Sequence, residues 1–142
     1  MTVADIQITT LAKIIADGGD VMHAMKNGDI GYSGFGEAYF SWISTGSIKA
    51  WKRHLQMTMN LVVPMGKVRF VFYSSNSEGK QKFRSEIIGE ERYMRITVPP
   101  GIWFGFQGLG NSSSLVLNLA NILHDPNEVE RKPISEINFI WN

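Results

Sequence analysis

The chain has 142 residues and a net charge of +1, with 44% apolar and 19% charged side chains. That balance suits one globular domain with a real core, spanning 1–142, and argues against a disordered chain or a nucleic-acid binder that relies on bulk charge. Cysteine is absent, so there is no disulfide framework, no thiolate metal site and no cysteine nucleophile.

In chain order the pattern is one of short strands punctuated by glycine, proline and polar turns. Ile6 to Ile15 reads as an opening strand or a short helix, with acidic Asp5 before it and no apolar run of the kind a signal peptide needs. Gly18-Gly19-Asp20 is a turn before a short strand from Val21 to Met25. A glycine-rich loop leads into a strand from Ala38 to Ile43. Gly46 turns the chain into Ile48 to Gln56 and then Met57 to Val63, and Pro64-Met65-Gly66 is a tight turn. Lys67 to Tyr73 alternates with Val68, Phe70 and Phe72 on one face. Strands follow at 83–88, 93–98, 102–106 and 114–120. The charged tail from His124 to Lys132 reads as irregular, and Ile137 to Trp141 as a closing strand. No stretch is long and apolar enough to span a membrane, so the expectation is a cytoplasmic protein.

About ten short strands at this spacing favour an all-β double-sheet jelly roll, with an immunoglobulin-like sandwich as the alternative. The interior of a jelly roll is the default ligand site. In an extended Ile48–Gln56, Ala50, Lys52, His54 and Gln56 share one face, and Lys49, Trp51, Arg53 and Leu55 the other.

The spacing from Gly46 through Lys52-Arg53-His54 and Met59 to Gly66 resembles the cupin metal motif Gly…His-x-His…Glu…Gly. Pro99-Pro100-Gly101 followed by Phe104 resembles the second cupin motif, which ends in His. Of the four ligand positions only His54 keeps its type. A lone imidazole does not build a first-row metal site, so no metal and no cofactor is expected. The cupin spacing turns Lys52 and His54 inward. There a near-neutral His can take a proton beside a carbonyl, and an ammonium can hold the resulting enolate oxygen. A solvated lysine and a hydrogen-bonded core histidine are the plainer reading of the same pair.

Several blocks in order carry a family resemblance. Ile48-Lys-Ala-Trp-Lys-Arg-His-Leu-Gln-Met-Thr-Met-Asn60, Gly34-Phe-Gly-Glu-Ala-Tyr-Phe-Ser41, Gly19-Asp-Val-Met-His23, Pro99-Pro-Gly-Ile-Trp-Phe-Gly-Phe106, His124-Asp-Pro-Asn-Glu128 and the final Ile-x-Phe-x-Trp141 resemble short cupins related to dTDP-4-dehydrorhamnose 3,5-epimerase. The resemblance implies a cupin-type jelly roll, a homodimer, and a nucleotide-sugar ligand bearing a 4-keto-6-deoxyhexose in polysaccharide precursor synthesis. Its implied chemistry is proton removal beside the keto group. The family's base is a barrel His supported by an Asp, with a Lys at the enolate and a Tyr as donor. Here Lys52 stands at the first His of the family's His-x-His, His54 at the second, and the donor position falls near Asn118. Tyr39 and Tyr73 are phenols that can replace that donor.

The catalytic candidates are therefore His54 and Lys52. Candidates for binding are Lys49 and Arg53 at the diphosphate, Trp103 as a stacking surface, and Gln56, Asn60, Glu37 and Asn118 as polar contacts. Each has a structural alternative: a solvated edge charge, a core aromatic, a turn residue or an amide bonded to backbone. Three readings stay open: an epimerase, a 3,4-ketoisomerase, and a nucleotide-sugar-binding cupin without turnover.

Overall fold

A computed structural model describes residues 1–142 as twelve strands with three short 3-10 turns. The strands are β1 (Gln7–Thr10), β2 (Lys13–Ile14), β3 (Val21–Met22), β4 (Glu37–Ile43), β5 (Ile48–His54), β6 (Met59–Met65), β7 (Lys67–Ser75), β8 (Gln81–Gly89), β9 (Met94–Val98), β10 (Trp103–Gly108), β11 (Ser114–Ala120) and β12 (Val129–Arg131). One five-stranded sheet runs β1-β9-β6-β11-β4, the other β12-β5-β10-β7-β8, and β2-β3 form a separate hairpin. All ladder pairings are antiparallel. This interleaved order is the jelly roll rather than the immunoglobulin-like sandwich.

The two sheets share one apolar core. Leu61, Val63, Ile96, Val98 and Val116 of the first pack with Val68, Phe70, Phe72, Ile88 and Phe104 of the second. These residues alternate along their strands, so each sheet buries one face. Gly66 alone, at φ +89°, separates β6 from β7, and β6 runs on through Pro64 and Met65 where a tight turn was expected. No helix is long and apolar enough to cross a membrane.

Two further expectations change. The tail after His124 is not irregular: β12 adds to the edge of β5, pairing Val129 with His54, Glu130 with Arg53 and Arg131 with Lys52. Ile137 to Trp141 is not a strand. Its alternating apolar residues pack instead on the outer face of the second sheet, where Ile137, Phe139 and Trp141 meet Trp51. Alternation reports a buried face, and that face is satisfied here by aromatic packing without ladder bonds.

The third change sets the site. The β5–β10 register slips between Phe104 and Gly105: Phe104 faces Lys52, but Gly105 faces Ala50. Trp51 is the extra residue of a bulge and exchanges backbone hydrogen bonds with Lys132 instead. A Cβ on Gly105 would lie 2.6 Å from that of Ala50, so the close approach needs glycine. Because of the bulge, Lys49 pairs with the inward Phe106 and Lys52 with the inward Phe104. Lys49, Lys52 and His54 therefore share the inward face. Ala50 packs with the outer cluster around Trp51, and Gln56 is exposed beyond the strand's end.

Candidate active site

Between the sheets lies a cavity of about 400 Å³. Lys49, Lys52, Phe104, Phe106 and Arg131 line one side; Tyr39, Ser41, Met59, Leu61, Val116 and Asn118 line the other.

His54 closes β5 on the inward side. Its Nδ1 lies 2.5 Å from Glu128 Oε1, with both side chains buried at 4% and 2% exposure. The other carboxylate oxygen accepts from the backbone N–H of Gln56 at 3.0 Å and of Met57 at 3.1 Å. Local sequence places Glu128 there. Asp125 caps a 3-10 turn by accepting from Asn127 N–H at 2.9 Å, Pro126 opens the turn, and Glu128 ends it. Burial lowers the His54 pKa from its ordinary value, against the opposing hydrogen bond and charge of Glu128. Burial alone would raise the Glu128 carboxyl, but the bonds from His54, Gln56 and Met57 hold it below its ordinary value. The pair is thus a neutral imidazole on an ionised carboxylate. Nδ1 carries the proton and donates it, which leaves the lone pair on Nε2. Nε2 is buried and has no partner. Phe104 stacks on the imidazole, with centroids 6.1 Å apart, and itself lines the cavity.

Next to this dyad the site is cationic. Lys52 and Arg131 stand directly opposite each other across β5 and β12, a like-charge pairing that costs stability. Lys49 joins them on the lining and donates to Trp42 O at 2.8 Å. None of the three has a carboxylate partner. Burial, then the charges of Arg131 and Lys49, lower the Lys52 pKa. Such a cluster fits an anion with several oxygens.

On the facing wall Tyr39 and Asn118 are a direct cross-strand pair. Asn118 Nδ2 donates to Tyr39 Oη at 3.0 Å, and Asn118 Oδ1 accepts from Asn60 N–H at 3.2 Å.

Of the expected site residues, the cavity gathers Lys49, Lys52, Tyr39 and Asn118, and His54 stacks on Phe104, which lines it. Several others lie elsewhere. Arg53 points outward, paired with Glu130 and 4.7 Å over the Trp103 ring. Trp103 belongs to the outer aromatic cluster, and Tyr73 packs on Phe83 at 5.1 Å. Asn60 bonds Gly31 O and Thr97 Oγ1 on the outer side of β6. Glu37 accepts from the His124 backbone N–H at 2.5 Å and so ties β4 to the segment after β11. Sequence reasoning missed Glu128, Arg131 and Ser41. The run His124-Asp-Pro-Asn-Glu128 held the signal for Glu128, since a capped proline turn fixes the residue that ends it. No group of three or more His, Asp or Glu side chains gathers to hold a metal ion.

A buried His–carboxylate pair beside three cationic side chains without a salt bridge, inside a jelly roll, marks the candidate small-molecule site. No protein-family model matches the chain. A solved dTDP sugar isomerase from Desulfovibrio desulfuricans G20 is 34% identical, with a TM-score of 0.91 over 96% of this chain and 90% of that one. A solved dTDP-4-dehydrorhamnose 3,5-epimerase from Sulfolobus tokodaii shares the fold, at 18% identity and a TM-score of 0.81 over 94% and 80% of the two chains. A Haloferax volcanii protein named a probable low-salt glycan biosynthesis epimerase, Agl13, is 30% identical over 100 residues. That match spans 68% of this chain and 64% of the relative's length. The chain belongs to the dTDP-sugar isomerase family, the cupin-fold relatives of dTDP-4-dehydrorhamnose 3,5-epimerase.

Proposed function

We propose that the chain is an epimerase of nucleotide-linked 4-keto-6-deoxyhexoses, serving the synthesis of glycan precursors. The His54–Glu128 pair carries this reading. A neutral imidazole, oriented through Nδ1 by an ionised carboxylate and with Nε2 unpartnered, is a general base poised for carbon acid chemistry. His54 takes the proton beside the keto group, and Lys52 holds the enolate oxygen as charge builds there. Lys49 and Arg131 take the diphosphate. Substrate entry displaces the edge of the Phe104 ring, which stacks on the base. A second copy of the chain covers the exposed apolar residues Phe40, Trp42 and Met65 on the outer side of the first sheet; sedimentation at twice 16.0 kDa checks that homodimer.

The decisive experiment is deuterium incorporation at C3 or C5 of dTDP-4-keto-6-deoxyglucose in deuterium oxide. We expect exchange with the unaltered chain and a fall of at least about 100-fold with His54→Ala. No exchange above a Lys52→Ala, His54→Ala double variant would sink the enzyme reading. The Phe104 ring against the imidazole favours one alternative, a nucleotide-sugar-binding protein without turnover. That alternative predicts thermal stabilisation by the same ligand and no exchange.

A further inference from the structure

We infer that Lys52 is a nucleophilic amine that captures the keto carbon of a bound ligand as an imine. For the nucleotide-linked keto sugar the inference rests on the proposed function and deepens it. The ammonium form of Lys52 holds an enolate oxygen; the free amine attacks the carbonyl carbon itself.

Of the three cations lining the cavity, Lys49, Lys52 and Arg131, only one suits this step. The Arg131 guanidinium stays charged and offers no lone pair. The Lys49 ammonium is engaged: it donates to Trp42 O at 2.8 Å and lies 6.0 Å over the Phe106 ring. Lys52 has no carboxylate partner and, unlike Lys49, donates to no backbone carbonyl.

Its neighbours favour the neutral amine. The ladder places Arg131 on one flank of Lys52 and Phe104 on the other. A guanidinium on one side repels an ammonium, and an aromatic ring on the other withholds water from it. Lys49 adds a second like charge on the same lining. Burial lowers the Lys52 pKa first, then Arg131 and Lys49, against the opposing charge of Glu128. His54 and Tyr39 are the other titratable groups around this face. A desolvated lysine beside another cation is the arrangement that keeps an amine nucleophilic near neutral pH. It also gives a reason for opposing two cations across an antiparallel pair, which otherwise only destabilises the edge of β5.

The step balances with solvent protons alone. The Nζ lone pair forms a bond to the carbonyl carbon, and the oxygen takes up a proton. The carbinolamine then loses that oxygen as water, with one Nζ proton and one proton from solvent, and a protonated imine remains. Its C=N bond draws electrons more strongly than C=O, so the neighbouring C–H is a stronger acid. Water adds to the same carbon to release the ligand and restore the amine.

Sodium cyanoborohydride tests this, because it reduces an iminium to a stable secondary amine and spares a ketone. With dTDP-4-keto-6-deoxyglucose it should leave the sugar nucleotide covalently on Lys52, located by peptide mass mapping. Lys52→Arg keeps the charge but cannot condense, and should carry less than about a tenth of the label. The trapping rate should rise with pH as the free amine grows, with its midpoint below 10.5, the ordinary lysine value, and Arg131→Met should move that midpoint up. Pyridoxal phosphate, an aldehyde with an anion for the same cations, is a second probe independent of the sugar; it should label Lys52 ahead of the surface lysines. Deuterium exchange into the sugar without trapping at Lys52 overturns the covalent assignment and leaves the enolisation reading standing. Label on Lys49 instead, or equal label on Lys52→Arg, overturns it as well. A chain that does not exchange overturns the enolisation reading; selective pyridoxal phosphate labelling of Lys52 then still supports the nucleophile, and its absence overturns that too.

Discussion

The two walls of the cavity are built by opposite means. The β5–β12 wall is ionic: Lys49, Lys52 and Arg131 carry charge, and Glu128 lies behind His54. The β4–β11 wall is neutral: Tyr39, Ser41 and Asn118 offer directed hydrogen bonds among Met59, Leu61 and Val116. On the proposed reading, charge on one side holds the anion and an enolate oxygen. Neutral groups on the other side offer directed hydrogen bonds to a bound ring without competing for the anion. Chemistry that takes a proton on one face of a ring and returns it on the other needs this asymmetry.

The largest effect should come from the carboxylate behind the ionic wall. In Glu128→Gln the amide oxygen is drawn to the N–H groups of Gln56 and Met57, as Oε2 is now. The NH₂ then faces His54 Nδ1 and donates to it, moving the imidazole proton to Nε2 and removing the base. Exchange should fall by roughly 10³–10⁴-fold, with dTDP affinity nearly unchanged by calorimetry. The pH profile gives the sign. Because burial lowers the His54 pKa, the acid limb of the exchange rate should lie below 6.5, the ordinary value. An unfolded chain would bind that proton more readily, so stability should also decline as pH drops below 6.5 toward the folded value. Glu128, likewise lowered, adds a second loss as pH falls through its own folded value, below 4.5. An acid limb at or above the ordinary histidine value would mean that the dyad is an ion pair, and the account of the base would fail.

A smaller effect is expected at the mouth of the same wall. On the proposed reading Arg131→Met removes one charge-assisted partner of the diphosphate, worth roughly 1.5–3 kcal/mol, or about 10- to 100-fold in dTDP affinity. It also removes a charge that lowers the Lys52 pKa. Binding should become less salt-dependent, and the rate at saturation should change far less than KM. Unchanged affinity would place the anion elsewhere and leave the opposed Lys52 and Arg131 unexplained.

What was legible in the sequence divides along physical lines. Strand alternation and cupin spacing placed Lys52 and His54 on one inward face, because both report local geometry. Alternation across the bulge was not legible: one extra residue at Trp51 exchanges Ala50 for Lys49 on that face, and nothing in Lys-Ala-Trp-Lys announces it. Glu128 lies 74 residues from His54, so only the pairing of β12 with β5 joins them. Asn60 and Asn118 look alike as amides in apolar strands, yet one faces Gly31 and Thr97 outside and the other the cavity. Their strands had been found; which face each amide took depended on register.

The finest test lies two residues from Glu128. Glu130 pairs with Arg53 on the outer face of the same strand pair, with side chains 44% and 32% exposed. The ion pair is set in water rather than in the cavity wall, and solvent screens it. Glu130→Gln should therefore cost less than about 1 kcal/mol by chemical denaturation and leave exchange within about twofold. Arg53 would keep its place over Trp103, since its contact with the ring does not depend on the carboxylate. Were Glu130→Gln to slow exchange as Glu128→Gln does, burial would not be what separates the two carboxylates. The contribution of β12 would then lie in holding the edge of β5, and the dyad would be only one consequence of that pairing.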